Sequence, residues 1–415
     1  VFKKISAGVI ILAIFVGVGI YFFLQNEKNV EPEVSSPLVE STENVEFTSA
    51  EPTELVAANN QFAFELFEKY SDADENIFFS PFSISSALAM TFEGARGTTA
   101  DEMRSVFHFP ENAELRQNAF RTVFAEINRS DKNYKLATAN ALWAQNNYQF
   151  SDEYFTTMEN FYDGEIRNLD FKNDTENSRL TINSWVEEKT KNKIKNLIEQ
   201  LSPMTKLVLT NAIYFKGDWA EQFDKNSTRD REFELISGEK IETPTMYSSD
   251  DFNYFENENW QILEIPYRDD ELSMLVFLPT ENNSNTLGAA EFESLSANLR
   301  KEEVEIYFPK FKLETKYSLA SDLAEMGMPT AFSDAADFSG MTGTRDLFIS
   351  QIIHQAFVEV DEKGTEAAAA TAVVMEDNSA FKPAPVFRAD HPFIFAIREN
   401  TNGEILFLGR VVDPQ

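Results

Sequence analysis

The sequence contains no cysteine and only three histidines, and its 36 lysines and arginines face 69 aspartates and glutamates. Without cysteine there is no disulfide, no thiolate metal site and no thiol nucleophile. The histidines, His108, His354 and His391, are scattered along the chain, and no G-x-S-x-G, H-E-x-x-H, P-loop or C-x-x-C pattern occurs. An enzyme is therefore not expected, and no catalytic residue, metal or cofactor is assigned. A formal net charge of −33 repels phosphate backbones and anionic membrane surfaces, which argues against nucleic acid as a partner. Basic residues at Arg116, Arg121, Arg129, Lys132 and Lys135 are interleaved with Glu111, Glu114, Glu126 and Asp131, so no strong response to heparin is expected.

One long apolar run exists, at the start. Lys3 and Lys4 precede an uncharged stretch from Ile5 to Leu24, long enough at 1.5 Å per residue to cross a hydrocarbon layer of about 30 Å. No small-x-small cleavage site stands clearly at its end, so for residues 1–26 a transmembrane anchor is preferred to a removed signal sequence. The basic flank puts the remainder outside the cytoplasm, membrane-anchored or secreted. Residues 27–54 are acidic and carry Pro32, Pro37 and Pro52; such a composition reads as a disordered linker. Residues 55–415 then form the folded domain.

Within that domain the polar residues in apolar surroundings are the informative ones. Ser80-Pro81 is a helix entry, and the helix behind it is so rich in apolar and small residues that Ser80 and Ser83 need internal partners. Leu207 to Phe215 is a nearly unbroken apolar strand, as expected for the middle of a sheet covered on both faces. Asn211 interrupts it and also needs a partner. Further strands are expected near 262–265, 273–278, 304–309, 393–397 and 405–412. The mixed order of helices and strands points to an α+β fold.

The stretch from Glu362 to Met375 can be read in two ways. An alanine run behind a threonine suggests an N-capped helix. Read with period two, Thr365, Ala367, Ala369, Thr371, Val373 and Met375 share one uncharged face, while Glu362, Glu366 and Glu376 share the other. A segment able to be either exposed loop or central strand suggests a switch.

Taken in order, Asn76 to Met90, Leu209 to Trp219, Phe311 behind Pro309-Lys310, Ala335 to Gly340, Ala389-Asp390-His391-Pro392-Phe393 and Phe407 to Val411 resemble the serpin family, in a prokaryotic-type, membrane-anchored form. The resemblance covers essentially all of 55–415. It implies three β-sheets, about eight to nine helices and an exposed reactive-centre loop. It also implies a monomeric suicide-substrate inhibitor of serine proteases, with cysteine proteases as a second target class. A non-inhibitory binding or chaperone module is the alternative. The protease cleaves the loop and forms an acyl-enzyme; the loop then inserts into the central sheet and drags the protease with it. By the same resemblance Glu362, Gly364, Thr365, Glu366, Ala367, Ala368, Ala369 and Ala370 form the hinge of the loop. Ser80, Ser83, Asn211 and His354 form the shutter beneath the opening of the sheet, and Trp219 marks the breach at its top.

Inserting roughly ten residues makes about ten ladder bonds worth about 0.5–1.5 kcal/mol each, and ordering them costs about 1–2 kcal/mol each. The two nearly cancel, so the drive must come from strain released in the uncleaved sheet. Family spacing from Gly364 places the cleaved bond at Asn378-Ser379, with Asp377, Ala380 and Phe381 as alternatives.

Overall fold

The computed structural model describes residues 51–129, 132–162, 164–280, 286–365 and 384–415. The anchor reading at 1–26 lies outside these residues. So do most of the linker and the loop from Glu366 to Pro383.

The chain opens with helix α1 (Glu51–Ser71), so residues 51–54, expected in the linker, are helical. Pro52 is no obstacle there, because the first turn leaves its amide positions unpaired in any case. Leu55, Phe62, Leu66 and Phe67 anchor the helix by complete burial. A short strand β1 (Ile77–Phe79) leads to α2 (Pro81–Gly94). Ser80 caps α2 by accepting the Ser83 amide hydrogen at 3.2 Å, and Pro81 occupies the first turn. Helices α3 (Gly97–Phe107) and α4 (Ala113–Ile127) follow. Next come β2 (Tyr134–Gln145), α5 (Asp152–Phe161), β3 (Glu165–Leu169), α6 (Thr175–Lys189) and β4 (Leu207–Asp218). Soon after α6, Lys191, Asn192 and Asn196 adopt positive φ, which a continuing helix does not tolerate.

The second half contributes β5 (Arg229–Glu234), β6 (Lys240–Glu256), β7 (Trp260–Pro266) and β8 (Leu272–Pro279). Then follow α7 (Ala289–Ser296), β9 (Arg300–Pro309), β10 (Phe311–Ser318), α8 (Leu319–Met326) and the short α9 (Ser339–Thr342). The chain finishes with β11 (Ile349–Asp361), β12 (Gly364–Thr365), β13 (Val386–Arg388), β14 (Phe393–Glu399) and β15 (Ile405–Val411). The described residues thus hold nine α-helices and two hydrogen-bonded sheets.

The larger sheet runs β1-β15-β14-β8-β7-β6-β9-β13, with β5 on β6. Strand β6 is 17 residues long, pairing β5 from Lys240 to Thr245, β9 from Thr245 to Tyr254 and β7 from Asn253 to Glu256. It thereby joins what the resemblance implies as two separate sheets. The smaller sheet, ordered β10-β11-β12-β4-β2-β3, positions the site. One face packs on α2. The other is covered by Ile182, Trp185 and Val186 of α6 against Ala141, Trp143, Val208 and Ala212. Both faces being dry, β4 is buried at every position from Leu207 to Phe215, as its apolar run requires. Among the described residues no helix is long and apolar enough to cross a membrane.

Candidate functional site

The site is built from two polar clusters on the smaller sheet. In the first, the strand register aligns Asn140 of β2, Asn211 of β4, His354 of β11 and Tyr317 of β10 in one row. The row lies over the N-terminal end of α2. His354 Nε2 accepts the Ser80 amide hydrogen at 3.1 Å, so the ring proton sits on Nδ1 and is donated to Asn211 Oδ1. The Asn211 amide nitrogen donates to the Ser83 carbonyl at 2.8 Å, to Ser83 Oγ and to Asn140 Oδ1. Tyr317 stacks on the His354 ring at 6.4 Å between centroids and accepts the Phe78 amide hydrogen at 3.3 Å. His354 is fully buried, and burial alone pushes its pKa down to about 3. The imidazole is therefore neutral across the physiological range and acts as a bridge of one donor and one acceptor.

The second cluster stands at the top of the sheet. Strands β4 and β11 pair directly, and in parallel, from Leu207–Ile349 to Tyr214–Phe357. Beyond that point they part, and β12 fills the gap. Gly364 pairs with Asp361 on one side and Asp218 on the other; Thr365 pairs with Val360 and Gly217. Gly364 has φ +146°, and a Cβ there would collide with the Gly217 carbonyl oxygen. Only glycine fits this approach of two backbones. Thr365 is fully buried, with its hydroxyl 2.9 Å from the Tyr267 hydroxyl. Tyr267 in turn stacks on Trp219 at 4.6 Å. The Trp219 indole donates to the Asp361 carbonyl at 3.0 Å, and its amide donates to the Lys363 carbonyl at 2.9 Å.

Glu362 closes this cluster. It is 4% exposed, and its carboxylate accepts from Lys310 Nζ and Thr228 Oγ1, both at 2.9 Å. Burial by itself pushes the carboxyl up, but the hydrogen bonds from Lys310 and Thr228 outweigh it and hold the pKa below its ordinary value.

Ser80, Ser83, Asn211 and His354 therefore meet in one cluster, and Trp219, Glu362, Gly364 and Thr365 in the other. Two expectations change. Gly364 to Met375 is expected to be mostly exposed loop, yet Gly364 and Thr365 already lie inside the sheet, because the parted ends of β4 and β11 leave unpaired backbone groups that they satisfy. Glu362, assigned by alternation to the solvent face, is buried because Lys310 and Thr228 reach it. The rest of the hinge (Glu366, Ala367, Ala368, Ala369 and Ala370) lies outside the described residues, as do Asp377, Asn378, Ser379, Ala380 and Phe381. Asn140, Tyr267, Lys310 and Thr228 were not anticipated. The other histidines sit apart, His108 against Glu65 and His391 between Asp390 and the Pro279 carbonyl.

Comparison with known proteins gives a consistent picture. The family model described as "Serpin (serine protease inhibitor)" matches residues 57–414. An uncharacterized serpin-like protein of Methanosarcina acetivorans is 43% identical over 376 residues, covering 88% of each chain. The human leukocyte elastase inhibitor is 41% identical over 379 residues, covering 87% of this chain and 100% of its own. Among solved structures, human thyroxine-binding globulin superposes with a TM-score of 0.80 at 31% identity, covering 88% of this chain and 100% of its own.

Proposed function

This chain belongs to the serpin family, and on that premise we propose that it is an irreversible, suicide-substrate inhibitor of serine proteases. The observation that carries the reading is the seating of Gly364 and Thr365 between the parted ends of β4 and β11. These residues lead into a run whose alternate side chains, from Ala367 to Met375, are small or apolar and uncharged. Once the loop is cut, strand addition can continue downward from a start already made. In this reading Ser80, Ser83, Asn211 and His354 form the shutter that must open. Trp219 stands at the breach, and Glu362 with Gly364 to Ala370 are the hinge. The likeness to an inhibitor named for leukocyte elastase supports protease inhibition without fixing the target. The proposed reactive bond is Asn378-Ser379. The chain is proposed to act outside the cytoplasm, held at a membrane by residues 1–26.

One experiment with three readouts tests this. Mixed with a panel of elastase-, chymotrypsin-, trypsin- and subtilisin-like proteases, the protein is expected to give a complex that survives SDS. Mass spectrometry of that complex should find a released peptide beginning at Ser379; a start at another residue overturns the assignment of the bond. On intact cells the complex should stay with the cells and be lost from them when residues 1–26 are deleted. Cleavage by the whole panel with no SDS-stable complex rejects inhibition and leaves a non-inhibitory binding module.

A further inference from the structure

On the solvent face of the larger sheet, Arg388 of β13, Tyr307 of β9 and Tyr247 of β6 lie in one cross-strand row. The Tyr307 ring is approached by two guanidiniums. Arg388 stands 4.6 Å from its centroid and Arg231 of β5 stands 4.5 Å from it, while Tyr247 packs beside it at 5.1 Å. Stacking engages the planar faces of the guanidiniums and leaves their N–H edges to bind something else. Among the described residues no side chain or carbonyl accepts a hydrogen bond from either guanidinium, and Arg231 Nε is buried without a partner. This is unusual in a chain of net charge −33, where carboxylates are plentiful. The nearby ones are otherwise engaged: Glu232 by Lys240, Asp390 by His391, and Glu305 within 3.4 Å of the Tyr307 hydroxyl. The two arginines border a depression of about 310 Å³ that Thr243, Thr245 and the two engaged carboxylates, Glu232 and Asp390, also line.

We propose that Arg231, Arg388 and Tyr307 form a docking site for a carboxylate-bearing segment of a partner protein. Two guanidiniums lining one depression can each take a carboxylate in bidentate geometry. The site follows directly from the reactive loop. Ser379 and Val386 are seven positions apart in sequence, at most about 25 Å of extended chain, so a protease bound at the loop overhangs this face. The partner is therefore an acidic surface segment of the attacking protease, an identification that rests on the inhibitory reading above. The strongly acidic remainder of the molecule repels such a segment at long range. The contact accordingly acts within a Debye length of about 8 Å at physiological salt and selects among proteases of equal cleavage preference.

The test uses the full chain and two variants, Arg231→Ala/Arg388→Ala and Arg231→Lys/Arg388→Lys. Both are expected to melt with the wild type, since neither guanidinium makes a hydrogen bond on which the sheet depends. Binding to an immobilised hexaglutamate peptide in 0.15 M salt is expected to weaken about tenfold or more in the alanine variant and by an intermediate factor in the lysine variant, which keeps charge but loses the fork. The rate of complex formation with a protease bearing acidic loops beside its active site should fall by a similar factor, while the rate with a basic protease should not change. Equal peptide binding by wild type and alanine variant overturns the proposal, as does preferential capture of heparin over the peptide. If no protease forms a complex yet the peptide still binds through the arginines, the inhibitory reading fails and the docking site stands.

Discussion

Replacing Thr365 with arginine is expected to convert the inhibitor into a substrate that is cleaved and released. Thr365 is fully buried between Val360 of β11 and Gly217 of β4, with its hydroxyl on Tyr267. The side-chain partner here is the neutral Tyr267 hydroxyl, which cannot neutralise an arginine, and an unpaired buried charge costs several kcal/mol. It must therefore stay outside, and the strand that would add behind it loses its first step. Trapping depends on insertion outrunning deacylation, and each ~1.4 kcal/mol added to the insertion barrier slows it tenfold. A penalty of ~3 kcal/mol raises the ratio of inhibitor cleaved and released to inhibitor trapped by about a hundredfold. The uncleaved fold survives, because the direct β4–β11 pairing from Leu207 to Tyr214 does not involve this residue. Thr365→Val is the control: it leaves the Tyr267 hydroxyl without a partner but keeps the size and neutrality insertion requires, so it should still trap. Titration of a fixed amount of protease measures both ratios, and wild-type stoichiometry for the arginine variant would show that insertion does not start at this residue.

Asn211→Ala is expected to be the most destabilising single change in the sheet. The one side chain donates to the Ser83 carbonyl and to Asn140 Oδ1, and accepts from His354. All of these groups are buried. Each polar group left without a partner costs about 1–3 kcal/mol, so the sum is a large part of the 5–15 kcal/mol that holds a typical domain together. Chemical denaturation should show the midpoint falling steeply. Adding Asn140→Ala should cost less than it does alone, since the Asn140 oxygen has already lost its Asn211 donor; contacting pairs of this kind show coupling of about 0.5–3 kcal/mol. A single variant within about 1 kcal/mol of wild type would mean that the cluster does not lock the strands.

What the sequence made legible follows from local contrast. Ser80, Ser83 and Asn211 stand inside apolar segments, and a polar group in such a segment demands a partner; the structure supplies partners for all three. Asn140 was harder, because the alanines around it in β2 make a weak contrast, and its role appears only when the register sets it opposite Asn211. Tyr267 follows Pro266 just past the end of β7 and reads as a turn aromatic. Nothing local reveals that it stacks on Trp219, 48 positions earlier in the numbering of the contact. Glu362 was misassigned for the same kind of reason. Alternation describes a strand with one wet face, whereas Glu362 occupies a two-residue turn covered by Lys310 and Thr228, which lie in connections distant in sequence. Period two did anticipate the inward side of Thr365. It could not say that Gly364 and Thr365 enter the sheet before cleavage, because that depends on where β4 and β11 separate.

The central claim is that the segment after Thr365 becomes a strand between β4 and β11 once the loop is cut. The most direct measurement is the melting temperature before and after limited proteolysis within residues 376–381, with the two fragments left associated. Insertion replaces a parted sheet with a fully paired one, so the cleaved protein is predicted to melt well above the intact one. A cleaved protein that melts at or below the intact temperature would contradict the account.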